Sequence, residues 1–357
     1  MISISEASSK RITSLRFLLM FLVMIKHNAI VRGLFISDIP FNEPVWITFI
    51  KEFSAKGLGE LAVPVFFIFS AYLFFSSDDS YFVGLKKRFY SIFIPYVIWT
   101  VLYFCVWLIL QKLRILQAEN PVLNWREWSF FDYLKRFIGY SDFFRFPFVG
   151  SFWFLRDLMV LMIFSPVLRF SIKRFPVVTI GVTTFNYFFG ILPPLLRQCS
   201  LFYFIVGLFF VVYKIDFFVV LDKIRWYDVL IAFFLGFIIF WFYRDSFSYF
   251  LYLFSGIIAL LKLSDILVKN ENIFAYTKWL VPYTFFVYAF HMPVLVALVK
   301  HLTLRILPVE SYGGVFCLLQ FIFACAIDIG LSLLAAVVFK KLLPRIFDIL
   351  SGGNREK

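Results

Sequence analysis

Arg16 and His27 stand inside an apolar run near the N-terminus, in the stretch SLRFLLMFLVMIKHNAI from Ser14 to Ile30. They are eleven positions apart, about three helical turns, so on a helix they share nearly one face and are separated by about 16 Å along the axis. An ionisable group inside a membrane span costs several kcal/mol unless it faces protein or water, which makes an intramembrane histidine a site residue by default. The chemistry open to an imidazole is proton transfer near neutral pH, and a guanidinium suits phosphate. A structural reading stands beside this one: Arg16 extends to the headgroups, and His27 hydrogen-bonds a neighbouring helix.

Four further stretches carry residues of the same kind. In LAVPVFFIFSAYLFF, Leu61 to Phe75, Ser70 and Ala71 form a small patch among aromatics where a helix or a ligand can approach closely. In YFVGLKKRFYSIFIPYVIW, the run Lys86, Lys87 and Arg88 reads either as a topology anchor or as a clamp for phosphates. In GSFWFLRDLMVLMIFSPVLRF, Arg156 and Asp157 enter a span together, where pairing with each other or across helices keeps both ionised. In PYTFFVYAFHMPVLV, His291 precedes Pro293 inside an apolar run, a second intramembrane histidine that one pocket could share with the first. His301 is expected in a polar outer loop, solvated and idle.

These residues need elements to position them, and composition sets the class. Of 357 residues, 62% are hydrophobic and 53 are phenylalanine, more than a soluble globular domain shows. The chain reads as an all-α, polytopic integral membrane protein, a single domain over residues 1–357 with no soluble domain. About ten apolar runs are long enough to cross the hydrocarbon layer, centred near Val23, Phe67, Tyr103, Val160, Thr184, Ile205, Phe234, Leu253, Tyr288 and Ala326. The net charge of +13 reads as topology information, with Lys10, Arg11 and the other basic residues of the short loops holding the termini in the cytoplasm. Nucleic acid is not expected as a partner. The longest polar interval runs roughly from Gln111 to Val149, and NWREWSFFDYLKRFIGY within it suits a helix on the membrane surface with Trp125, Trp128 and Phe131 facing lipid. Four cysteines without a CxxC pair point to neither disulfides nor zinc, and no metal site is expected.

Taken in order, Arg-x10-His, VPVFFIFSAYLF, KKRFYSIFIPY, WFLRDLMVL and YAFHMPVL resemble the membrane-bound acyltransferase family 3 along almost the whole chain. That family comprises multi-spanning bacterial proteins that acetylate O-antigens, exopolysaccharides and other surface glycans. The resemblance implies a ten-helix O-acetyltransferase in the bacterial inner membrane. It would take acetyl groups from cytoplasmic acetyl-CoA and deliver them to a glycan or lipid-linked sugar on the far side. The family's first-span pair carries onto Arg16 and His27. Its basic pair before the third span carries onto Arg88, but Ser91 stands where many members have a second arginine, so Lys86 or Lys87 would share the phosphates. Ala71 stands where the family often has glycine after serine, which implies a tighter or shifted pocket.

Resemblance and residue chemistry together make His27 the catalytic candidate, as base or as covalent acyl carrier, with Arg16 beside it. Arg16, Lys87 and Arg88 are the candidates for the donor's phosphates, and Ser70, Trp153, Arg156, Asp157 and His291 for the acceptor. A glycan flippase or transporter that carries a whole sugar lipid, a different membrane enzyme such as a polymerase, and a catalytically inactive scaffold are the alternatives that composition leaves open.

Overall fold

The computed structural model describes residues 4–30, 44–77, 79–114, 125–139, 147–191, 196–307 and 313–353. Among these residues every regular element is helical: α1 (Glu6–Ile30), α2 (Val45–Glu52), α3 (Ala62–Phe75), α4 (Tyr81–Arg88), α5 (Ile94–Lys112), α6 (Phe130–Ile138), α7 (Trp153–Ile163), α8 (Ser165–Arg174), α9 (Pro176–Phe189), α10 (Gln198–Val212), α11 (Phe217–Asp222), α12 (Trp226–Tyr243), α13 (Ser246–Lys269), α14 (Glu271–Leu280), α15 (Thr284–Phe290), α16 (Val296–Ile306), α17 (Gly314–Leu342) and α18 (Pro344–Ser351). Polar side chains cap α6, α11, α13 and α14 at their starts. Asp245 accepts from the amides of Phe247 and Ser248 at the start of α13, and the Ser248 hydroxyl and amide hold its carboxyl below the ordinary range.

Seven stretches of the described chain are long and apolar enough to cross a bilayer: Glu6–Ala29, Val45–Phe75, Tyr81–Lys112, Trp226–Tyr243, Ser246–Lys269, Glu271–Ile306 and Gly314–Leu342. Each contains one of the centres expected from the sequence. The centre at Val160 falls on a pair bent by 65°, Gly150–Ile163 with Ser165–Arg174, which makes eight if counted as one span. Thr184 and Ile205 fall on α9 and α10, of 14 and 15 residues, short of the roughly 20 needed to cross straight. The protein is therefore a multi-pass, all-α membrane protein.

The contacts group the chain into two interleaved units, Met1–Val23 with Ala55–Lys87 and Asp157–Thr284, and Met24–Ser54 with Arg88–Arg156 and Phe285–Lys357. In the first, α3 packs on α10 and α12 on α13. Gly207 of α10 lets α3 approach so closely that a Cβ there would lie 2.4 Å from the Ile68 carbonyl oxygen and 3.0 Å from the Ala71 Cβ. Small residues are the means by which helices in lipid gain packing, because burial from water is not available to drive them together. Arg11, read from sequence as a topology anchor, is buried here. It makes two bonds to the Asp222 carboxylate, of 2.7 and 3.0 Å, one to Ser264 Oγ at 2.8 Å, and lies 4.3 Å over the Phe218 ring.

In the second unit, Trp99 of α5 donates to the Leu350 carbonyl at 3.0 Å, and Phe286 stacks on Phe347 of α18. The helical path breaks at Met292, whose φ and ψ are −121° and 146°. Pro293 has no N–H for the Ala289 carbonyl four residues back. The Tyr103 hydroxyl takes that place, donating to the carbonyls of Ala289 and Phe290 at 3.0 and 2.9 Å.

Two expectations are corrected. His301 lies within α16 rather than in a loop, because the apolar spacing of Val296, Ala297, Val299 and Thr303 continues the helix past it. Trp125 and Trp128 turn onto Phe104, with centroids 6.2 Å away in both cases, while Phe131 is exposed. Stacking on α5 gives the tryptophans an aromatic partner inside the protein. Residues 115–124 and 140–146 of that interval lie outside the described residues.

Gly207→Val is expected to lower the melting temperature in detergent, by an overpacking cost of about 1–3 kcal/mol. Gly181→Ala, where a Cβ meets nothing within 4 Å, is expected to leave it unchanged or slightly raised, and a reversed order would refute the close α3–α10 contact.

Candidate functional site

His27 and His291 come together within the second unit. Their ring centroids are 5.4 Å apart and the rings are tilted by 47°. His27 is half-buried on the last turns of α1, and His291 is wholly buried at the break after α15. His291 Nδ1 lies 3.1 Å from the Val287 carbonyl oxygen. A carbonyl only accepts, so Nδ1 carries the hydrogen and Nε2 keeps a lone pair. Nε2 has no partner among the described residues.

The walls of this place come from four segments. The Tyr288 ring lies 6.2 Å from His291 by centroids, and its hydroxyl donates to the Ser151 carbonyl at 2.5 Å. The turn Gly150–Phe152 packs against His291–Leu295, which brings Trp153, the next residue, into the same neighbourhood. Beside His27, Asn28 donates to the Asp328 carboxylate of α17 at 2.8 Å. A buried acid in an apolar span needs such a partner. Sequence reading did not single out Asn28, Asp328 or Tyr103. Asp328 interrupts the apolar run FACAIDIGLSLL by the same rule that drew attention to His27, whereas Asn28 and Tyr103 carry no such signal.

The other expected residues divide between the units, since the division falls between Lys87 and Arg88 and again between Arg156 and Asp157. Arg16 is half-buried on α1, which runs unbroken from Glu6 to Ile30. Lys87 is exposed and pairs with Asp79 at 2.7 Å, beside a cavity of about 380 Å³ whose lining includes Asp79, Tyr81, Arg169 and Lys173. Arg88 is half-buried at the end of α4, and Ser91 is buried three residues on. Ser70 is half-buried on α3, next to Ala71 at the α10 contact.

Arg156 and Asp157 are buried, and each bonds to a helix end. In the second unit, Arg156 donates to the carbonyls of Ile138 and Gly139 at 3.3 and 3.0 Å, satisfying the C-terminal end of α6. In the first, Asp157 accepts from the Arg197 amide at 3.0 Å and the Ser200 hydroxyl at 2.6 Å, capping the start of α10. Both buried side chains thus hold helix ends.

The profile of acyltransferase family 3, described as an acyltransferase domain, matches residues 10–337. The chain is similar to the succinoglycan biosynthesis protein ExoH of Rhizobium meliloti (strain 1021), with 25% identity over 166 residues. That match spans 42% of this chain and 42% of the relative. No solved structure matches the chain.

Asp157→Ala is expected to lower the melting temperature in detergent by the equivalent of about 2 kcal/mol or more, because it strips a buried helix start of a charged cap. Lys87→Ala, which breaks an exposed ion pair, is expected to change stability by under about 1 kcal/mol. Equal melting of the two variants would remove the capping role from Asp157.

Proposed function

Because the chain belongs to acyltransferase family 3, we propose that it moves an acetyl group from cytoplasmic acetyl-CoA to a hydroxyl of a cell-surface glycan or lipid-linked sugar. The observation that carries the reading is the meeting of the His27 and His291 rings at 5.4 Å. A pair of imidazoles has the means to accept and return a proton, and a scaffold has no need of one. The relative is named for succinoglycan biosynthesis, which supports a polysaccharide as the acceptor.

In the proposed step the sugar oxygen attacks the thioester carbonyl carbon while its proton passes to a nitrogen of His27. The new C–O bond forms, the C–S bond breaks, and the departing thiolate takes up the proton from His27. His27 thereby returns to its starting state. His291, with its Nδ1 hydrogen held by Val287, keeps a fixed ring plane beside it. Trp153 and Ser70 remain acceptor candidates.

Arg16, Lys87 and Arg88 are assigned to the donor's phosphates. Lys87 would exchange Asp79 for a phosphate, and an exposed pair contributes too little to oppose that exchange. Ser91 brings no charge to the position where an arginine often stands, so the assignment leans on Lys87. The termini are assigned to the cytoplasmic side of a bacterial inner membrane, in keeping with the Lys and Arg bias of the short loops.

The test is deletion in the strain that carries the chain, complementation with wild type or His27→Ala at matched membrane levels, and measurement of glycan mass and ester content. Wild type is expected to restore an ester-linked acetyl, and His27→Ala to lower it by about 10²-fold or more. Acetylation that survives the His27 change would sink the mechanism. A glycan that never carries the ester would return the chain to the transporter reading.

A further inference from the structure

The Asn28 side chain is fully committed on one side. Its amide nitrogen donates to the Met24 carbonyl at 3.0 Å and to Asp328 Oδ2 at 2.8 Å. Both N–H groups are used and both partners are acceptors, so the amide has one orientation and Oδ1 points elsewhere. Asn28 Oδ1, Asp328 Oδ1 and His291 Nε2 are buried acceptors with no donor among the described residues, and the Ser332 hydroxyl, one turn along α17 from Asp328, is in the same condition. The four residues are at most 4% exposed.

Single orphaned hydroxyls occur elsewhere, at Tyr72 and Tyr203. Here three strong acceptors come from three separate segments, α1, α17 and the break at His291. α17 packs on that break, and Asn28 is the chain neighbour of His27. Leaving a buried acceptor without a donor costs about 1–3 kcal/mol, more for a charged one. The complement of such a set is a ligand rich in hydroxyl donors. A coenzyme A phosphate, which brings acceptors and negative charge, is repelled by it.

We infer that Asp328 and Asn28, with Ser332, form the subsite that holds the acceptor sugar through hydroxyls neighbouring the one that is acylated. The inference rests on the acetyl-transfer reading and adds the acceptor contacts to it. Asp328 Oδ1 and Asn28 Oδ1 receive O–H bonds from the sugar, and the register of those bonds selects which hydroxyl meets His27. The Asn28–Asp328 bond fixes the spacing of the two acceptor oxygens, so the pair discriminates between sugars by the geometry of adjacent hydroxyls.

The experiment complements the deletion strain with wild type, Asp328→Asn or Ser332→Ala at matched membrane levels. Total glycan-bound acetyl and the position of each ester are read by NMR, and the melting temperature of each purified chain is taken. Asp328→Asn presents a donor where the sugar needs an acceptor. It is expected to cut acetylation by about tenfold or more, or to move the ester to another hydroxyl. Ser332→Ala is expected to act in the same direction and more weakly, with its melting temperature kept. In membranes from the same strain, the acceptor KM is expected to rise while the KM for acetyl-CoA moves by less than about twofold.

Wild-type ester level and position in both variants would overturn the subsite. A rise in the acetyl-CoA KM with the acceptor KM unchanged would overturn it too, by moving Asp328 to the donor side. Absence of the ester with wild type would instead strike the acetyl-transfer reading, and the subsite with it. If Asp328→Asn fails to accumulate, the ester position in Ser332→Ala decides.

Discussion

Within the hydrocarbon layer a polar group has no water to turn to, and the structure depends on how each such group is matched. Most are matched by protein. Arg11 has Asp222, Ser264 and the Phe218 ring. The carbonyl stranded by Pro293 has the Tyr103 hydroxyl. Gln320 of α17 donates to Thr303 of α16 at 3.0 Å. The exception with the most strong acceptors is the group around His27, His291, Asn28 and Asp328. In Asn28, Asp328 and His291 the satisfied half of the side chain serves to hold its unsatisfied half still. Preorganisation of this kind lets a site bind a specific geometry, because its own groups need no rearrangement when the ligand arrives.

The same constraint explains what was legible in the sequence. An apolar run long enough to cross a bilayer is readable without any knowledge of its neighbours, and the centres at Val23, Phe67, Tyr103, Phe234, Leu253, Tyr288 and Ala326 all fall within stretches long enough to span, three of them built from several helical segments. The rule that an intramembrane histidine has a purpose pointed to His27 and His291, and the structure brings them together. The partners of a buried charge are a tertiary property. Nothing local in the chain says that Arg156 serves the end of α6 or that Asp157 serves the start of α10, and sequence position alone left pairing with each other and pairing across helices both open. Arg11, read as one of the basic residues that set orientation, has in addition a tertiary partner that nothing local announces, Asp222, 211 positions away.

The departures from the family pattern also have physical accompaniments. Ala71 meets the glycine at position 207 of α10, so the methyl that replaces a hydrogen on α3 is matched by the absence of one across the contact. Ser91, where an arginine often stands, is buried beneath the C-terminal end of α18. Gly352 there has φ +67°, and a Cβ on it would approach the Ser91 carbonyl oxygen to 2.1 Å. The C-terminal helix therefore approaches the backbone at position 91 as closely as a glycine allows.

His27 and Asn28 are neighbours on α1, about 100° apart around the axis, and this angle separates two tasks. Asn28 turns to Asp328, which ties the helix to α17, and His27 turns to the ring of His291. Eleven residues back, Arg16 lies on the same unbroken helix. A helix that rises about 1.5 Å per residue sets the axial distance between guanidinium and imidazole at about 16 Å, whatever the surrounding loops do. The first span is thus a ruler, because the spacing of guanidinium and imidazole is set by the rise of the helix rather than by its surroundings.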